Sequence, residues 1–352
     1  MTRVRPMVAA DAGAWDAFVA QHASGSFLHR ATWAPVIARA FGHTPHYALA
    51  EQDGAITGIL PLVHVKTRLF GNSLMSAPFC VYGVPLVADA DAAAALDAHA
   101  TQLMAQTGAR VTEFRLRDPL PDGWLPEHEW PTRSDLYVTF RKAIIADDDA
   151  NLKAIPRKQR AMVRKGIDRG LQSHVSRDTD ALHAIYAQSV RNLGTPVFSR
   201  RYFRVLAEAF GTDMDVVTIT DSGTPVAAVL NFYDHGPTRA EVLPYYGGGT
   251  AAARGAYGND FMYWAVMRHA AARGITMFDF GRSKTGTGAY AFKKNWGFDP
   301  APLHYRYRLA AGASIPDHNP LNPKYRLMIA AWKRLPVPVA NLIGPSIVRG
   351  IG

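Results

Sequence analysis

Cysteine is almost missing from this chain: Cys80 is the only one in 352 residues. A lone thiol excludes an internal disulfide framework and leaves no cysteine-based zinc site. Its surroundings, Pro78-Phe79-Cys80-Val81, read as apolar interior, so a buried structural thiol is expected. Long apolar runs are missing too, since none approaches the ~20 residues that a membrane-spanning helix needs. The start, Met1 to Pro6, lacks the apolar stretch of about 7–15 residues found in secretory signals, so a cytoplasmic protein is expected. Histidines number 13 but are scattered without ligand spacing, and no metal is implied. Charged residues make up only 19% against 48% hydrophobic, which excludes a disordered chain. Acidic residues stop altogether at Asp317.

What is present is enough apolar chain for two cores, at about 150 residues per domain. The net charge of +10 is unevenly spread, with one basic cluster from Lys153 to Arg169 and another after Asp317. Such surfaces attract phosphates on nucleotides, RNA or anionic lipids.

An internal repeat organises the chain. Ala50 to Leu60 and Thr220 to Leu230 both read as strand, polar turn with glycine, strand. Tyr82-Gly83 answers Tyr246-Gly247, and alanine-rich helical stretches follow at 90–107 and 259–273. These stop at Gly108 and Gly274 and lead into strands at Thr112 to Arg117 and Thr276 to Arg282. The matched positions lie 164 to 169 residues apart. The order is mixed α/β, with antiparallel hairpins, then helix and strand, as in the GNAT acetyltransferase-like fold. The repeat predicts two tandem mixed α/β domains at 1–146 and 147–312, whose element order resembles the GNAT-like fold, and a basic amphipathic tail at 313–352. The acidic run Asp147 to Asp149 reads as the start of one helix over 150–169.

The chemistry concentrates in Phe278 to Phe298. A strand ends at Gly281, a glycine- and hydroxyl-rich loop follows, and Thr287 suits the N-cap of a short helix. Backbone N–H groups of Gly286 to Gly288 could hold a phosphate or an oxyanion. Phe292 and Trp296, four apart, define the buried face, placing Lys293 on its margin and Lys294 toward water. Lys293 is therefore the candidate for stabilising a developing oxyanion. Asp279 alternates with Phe278 and Phe280. It either takes the proton of an acceptor amine or pairs with Arg282 or another cation as a structural carboxylate. Tyr246, ahead of Gly247 to Gly249, either lines an acceptor groove or belongs to the core. Arg282, Gly286, Gly288, Tyr290 and Phe292 complete the candidate substrate-binding set of this stretch. Arg157, Arg160 and Arg164 share one helical face suited to a pyrophosphate or an RNA backbone, with Ile155 and Met162 toward the core.

Pro244 to Gly248, Asn259 to Arg273, Phe278 to Ser283 and Phe292-Lys293-Lys294-Asn295-Trp296-Gly297-Phe298 resemble the C-terminal half of the Fem (FemAB) family. The nearest likeness is to the branch associated with exosortase (PEP-CTERM) and exopolysaccharide loci. Pro78 to Gly83 and the basic segment Ile155 to Gly166 agree, so the resemblance covers about residues 1–310. It implies tandem GNAT-like domains that transfer an amino acid from aminoacyl-tRNA to an amine of a peptidoglycan precursor, with Lys293 near the reacting carbonyl. The chain lacks the coiled-coil arm of some Fem ligases. The implied partner is a nucleotide- or lipid-linked envelope precursor, peptidoglycan- or exopolysaccharide-related.

Acyl-CoA is the alternative donor, and in neither case is a resident cofactor implied. GNAT enzymes wrap pyrophosphate in a Gln/Arg-x-x-Gly-x-Gly/Ala loop. Here Arg254 and Gly258 are four apart, and Asn259-Asp260 is expected to put a carboxylate near the phosphates. A non-catalytic envelope-assembly module is the third reading. In the tail, Lys324, Arg326, Lys333 and Arg334 accompany Leu327, Met328, Ile329, Trp332 and Leu335 in one helix that Pro336 and Pro338 end, and the apolar Val339 to Val348 follows. This composition suits peripheral contact of 321–352 with an anionic membrane face, or a tail packed on the two domains.

Overall fold

The computed structural model describes residues 2–121, 124–316 and 323–351, without the side chains of 323–326. Two hairpins show how local chemistry sets the plan. Asp53-Gly54 (φ 51° and 80°) joins Thr44–Gln52 to Ala55–Thr67, and Ser222-Gly223 (φ 50° and 80°) joins Met214–Asp221 to Thr224–Asp234. Two consecutive left-handed residues make the tight turn whose twist matches that of the paired strands. Even the register slips recur, between Ala50 and Glu51 and between Ile219 and Thr220.

Each hairpin belongs to an eight-stranded mixed sheet. In the first, helix Ala90–Thr107 carries the chain from Gly71–Ser76 to the parallel strand Val111–Leu116. In the second, helix Gly258–Ala272 carries it from Glu241–Gly249 to the parallel strand Met277–Asp279. The fold is thus two tandem GNAT-like units. The sheets nevertheless exchange strands: Tyr137–Ala143 pairs with Met277–Asp279, Ser283–Lys284 and Pro300–Pro302, while His304–Leu309 pairs with Val111–Leu116. Residue 146 divides the chain in sequence but does not divide the sheets.

The parallel pairs position the site. Glu241–Gly249 meets Met277–Asp279 only at Glu241↔Met277 and Val242↔Phe278, then runs on to Gly249, so the second sheet splits open there. In the first sheet the corresponding split is filled by the loop 77–85. Its Gly83 bridges Arg115, and the Arg115 guanidinium donates to the Cys80 carbonyl at 2.8 Å. Cys80 is buried, and burial pushes its thiol pKa up, as suits a structural residue.

Two expectations need correction. The helix over 150–169 is two, Asp148–Ala154 and Arg157–Asp168, because Pro156 removes a donor and turns Ile155 out of helical geometry. In the second of these Gln159, Val163 and Gly166 face inward, with Met162 half-buried. In the tail, the first helix, Pro323–Trp332, stops ahead of Pro336 and Pro338 and leaves Lys333, Arg334 and Leu335 outside it. The apolar stretch that follows is itself a helix, Val337–Val348, which the two prolines open, since proline fits a helix's first turn. Lys324 and Arg326 lie outside the described side chains. The tail packs on both halves: the Trp332 indole donates to the Thr195 carbonyl at 3.1 Å, Gly344 sits against Val197, and His43 bonds the Arg349 carbonyl at 2.8 Å. Leu327 and Leu342, 84% and 78% exposed, stay outside these contacts. No helix among the described residues is long and apolar enough to cross a membrane.

Candidate active site

The helix Gly288–Asn295 starts where Thr287 accepts the Tyr290 N–H at 3.3 Å. The fully buried Trp296, just past its end, packs with Phe280 and Phe292. That anchorage turns Lys293 inward and leaves Lys294 in water. The Lys293 ammonium donates to the carbonyls of Phe280 (2.7 Å), Gly281 (3.0 Å) and Arg282 (3.1 Å) at the end of the split strand. All three of its N–H donors are engaged. Burial pulls its pKa down to about 7, opposed by nearby Asp279 and helped by Arg282.

Asp279 is fully enclosed. It accepts from the Tyr82 hydroxyl (3.0 Å) and the Gly281 N–H (2.7 Å), and its ion-pair partner is Arg141 at 3.4 Å, not Arg282. Arg141 also grips the buried Glu241, whose carboxyl burial raises. This geometry is that of the structural carboxylate. Gly281 links the two candidates, its N–H on Asp279 and its carbonyl under Lys293.

The split opens into a cleft of about 600 Å³. Gly247, Gly248 and Gly249 form its strand wall. A Cβ at Gly248 would lie 2.3 Å from Ser189 Oγ, and one at Gly249 2.5 Å from Asn259 Oδ1, so the glycines let two helices close on the strand. Phe292 and Lys293 line the cleft together with Tyr263, Arg254 and Asn259. Among the described residues no aspartate or glutamate does. The carboxylate expected beside the phosphates is elsewhere: Asp260 accepts from the Trp296 indole at 2.9 Å and from Gln159 at 3.3 Å.

Several candidates are not at this cleft. Tyr246 is core, its hydroxyl bonded to Tyr202 at 2.9 Å within an aromatic cluster. Arg282 lies over the Tyr137 ring at 4.6 Å and donates to the Tyr305 hydroxyl at 2.8 Å, stitching the two halves. Tyr290 packs edge-on against Phe140. Gly286, at φ 78°, makes the turn of the exposed loop, and Gly288, also exposed, is the first residue of the helix. Arg157 and Arg164 are exposed on one helix face, while Arg160 ties back to the Lys153 carbonyl at 2.9 Å. Sequence reasoning left Ser189, Asn192, Asn259, Tyr263 and Lys333 outside the site. The triple glycine at a strand end was the signal available.

Residues 157–294 match the family described as an acetyltransferase (GNAT) domain. No curated protein matches the chain. Among solved structures the fold is similar to that of FemX, at 16% identity and TM-score 0.66, covering 88% of this chain and 97% of that one. It is also similar to a tandem GNAT protein from the clavulanic acid biosynthesis pathway (15% identity, TM-score 0.57, 90% of this chain and 100% of that one). A third likeness is to the C-terminal domain of a putative lysylphosphatidylglycerol synthetase from Agrobacterium fabrum (13%, TM-score 0.56, 86% and 93%). At these identities the likenesses speak to the fold. With the GNAT domain over 157–294, the chain is an acyltransferase built on tandem GNAT units.

Proposed function

We propose that this acyltransferase moves an aminoacyl or related acyl group from an activated donor to an amine of a cell-envelope precursor, in the manner of the Fem branch linked to exosortase loci. The observation that carries the reading is Lys293, whose ammonium is held at the mouth of an open strand split beside Phe292. An acyl carbonyl drawn into the split exchanges for one of its three backbone acceptors and meets a positioned N–H as charge develops. Aminoacyl-tRNA is the first donor to test. The exposed Arg157 and Arg164, with Lys153 nearby in sequence, offer a phosphate-binding face on the same unit. Acyl-CoA is the second, supported by Asp260 turning away, which leaves Arg254 in a cleft with no acidic residue among its described lining.

The acceptor in this reading is nucleotide- or lipid-linked. The name of one neighbour concerns lysylphosphatidylglycerol and that of another is FemX, both compatible with envelope precursors. For a lipid-linked acceptor, the exposed Val339, Leu342 and Ile343 of an uncharged helix, with exposed Arg349 at its end, would rest on an anionic leaflet. The test offers aminoacyl-tRNA and acyl-CoA separately with a nucleotide-linked and a lipid-linked muropeptide, and reads product mass. A mass increment on the acceptor amine supports the reading. Hydrolysis of donor without any acylated acceptor overturns it.

A further inference from the structure

The donor cleft is not closed by the two GNAT-like units alone: Lys333, from the C-terminal tail, is one of its lining residues. Three contacts fix its place. The neighbouring Trp332 is buried and bonded to Thr195, Arg191 donates to the Lys333 carbonyl at 3.1 Å, and the lysine stem crosses Gly194. Gly194 ends the helix Thr179–Leu193 at φ 86°. A Cβ there would stand 2.5 Å from Ile329 and 3.1 Å from Lys333 Cε, so the glycine makes the seat on which the tail lies.

The cleft thereby gathers three cations from three elements, Lys293, Arg254 and Lys333, with no acidic residue among its described lining. Lys293 has committed its donors to backbone carbonyls. The charges free to meet an anion are Arg254, beside the glycine strand, and Lys333. Cations gathered without counter-charge repel, and an anion placed among them relieves that repulsion. We propose that Lys333 of the tail adds a second phosphate-binding cation to the rim of the cleft, opposite the GNAT-type loop that carries Arg254, so that the tail completes the donor site. The ligand is the pyrophosphate or phosphodiester part of the acyl carrier. This rests on the acyl-transfer reading above.

Titration calorimetry on the full chain tests it, with coenzyme A and unfractionated tRNA as separate phosphate-bearing probes. A charge-assisted contact of this kind is worth about tenfold in affinity. Lys333→Gln is expected to weaken whichever probe binds by about tenfold and to flatten its salt dependence, and Lys333→Glu to weaken it further. Arg334→Gln, next in sequence but off the cleft, is expected to change little. Gly194→Ala, which unseats the tail, is expected to reproduce the Lys333→Gln loss. Equal effects of Lys333→Gln and Arg334→Gln overturn the subsite while leaving the donor reading intact. Failure of the unaltered protein to bind either probe overturns both.

Discussion

Replacing Arg141 with methionine exposes how strongly the buried charges beneath the site depend on one cation. Arg141 comes from the exchanged strand Tyr137–Ala143 and ion-pairs with both Glu241 and Asp279, whose side chains are 5% and 0% exposed. Methionine matches its stem but leaves two carboxylates without their shared partner. Breaking a buried pair from one side costs about 3–5 kcal/mol. Arg141 is itself 27% exposed and Asp279 keeps the Tyr82 and Gly281 donors, so the lower end, about 3 kcal/mol, is expected. The sign with pH follows from Glu241, whose carboxyl is raised by burial, opposed by Arg141 and helped by Asp279. A folded pKa above the unfolded one, about 4.3, favours folding in acid and penalises it once the pH passes that value. Without Arg141 the carboxyl rises further. The stability lost in Arg141→Met is therefore largest at neutral pH and shrinks as the pH falls toward about 5. Urea unfolding at both pH values measures it. A loss below about 1 kcal/mol at neutral pH, or a loss that grows on acidification, refutes the argument.

Three further outcomes follow from the same geometry. If protonated Lys293 stabilises the oxyanion, its contribution to kcat is present below pH 7 and lost as the pH rises through about 7, whereas a rise through that range would mark it as a proton acceptor. Gly248→Ala is expected to cost about 1–3 kcal/mol by overpacking against Ser189, and Ser189→Gly should restore much of it in a double-mutant cycle. Arg157→Gln with Arg164→Gln should leave thermal unfolding unchanged, weaken donor binding and make its salt dependence shallower by about two charges, while an unaltered slope would make the face merely solvated.

The hairpins and the two crossover helices were legible because single residues announce them: Gly54, Gly223, Gly108 and Gly274 all take left-handed backbone. Lys293 against Lys294 was legible from helical spacing alone, since Trp296 fixes the face. The strand exchange was not. Tyr137–Ala143 and His304–Leu309 read as ordinary short strands, and nothing within seven or six residues says which sheet they join. The partners of Asp279 come from Tyr82, Arg141 and Gly281, so only the folded chain could choose between proton acceptor and structural carboxylate. Asp260 was misplaced for a similar reason: adjacency in sequence to a phosphate-like loop does not tell which side of the helix start the carboxylate takes. Lys333 was legible only as part of a tail that either meets a membrane or packs on the domains, because its contact with Gly194 spans well over a hundred residues.

The central claim, acyl transfer in the Lys293 cleft, is tested most directly by single-turnover transfer with the full chain, Lys293→Ala and Lys294→Ala side by side. The acyl donor that serves the unaltered protein is used, and the acylated amine is quantified by mass. Losing one oxyanion donor costs about 10²–10³ in rate. Lys293→Ala should therefore fall by that factor with its circular dichroism intact, while Lys294→Ala stays near the unaltered rate. Equal rates for all three proteins, or equal small losses in both variants, would contradict the account.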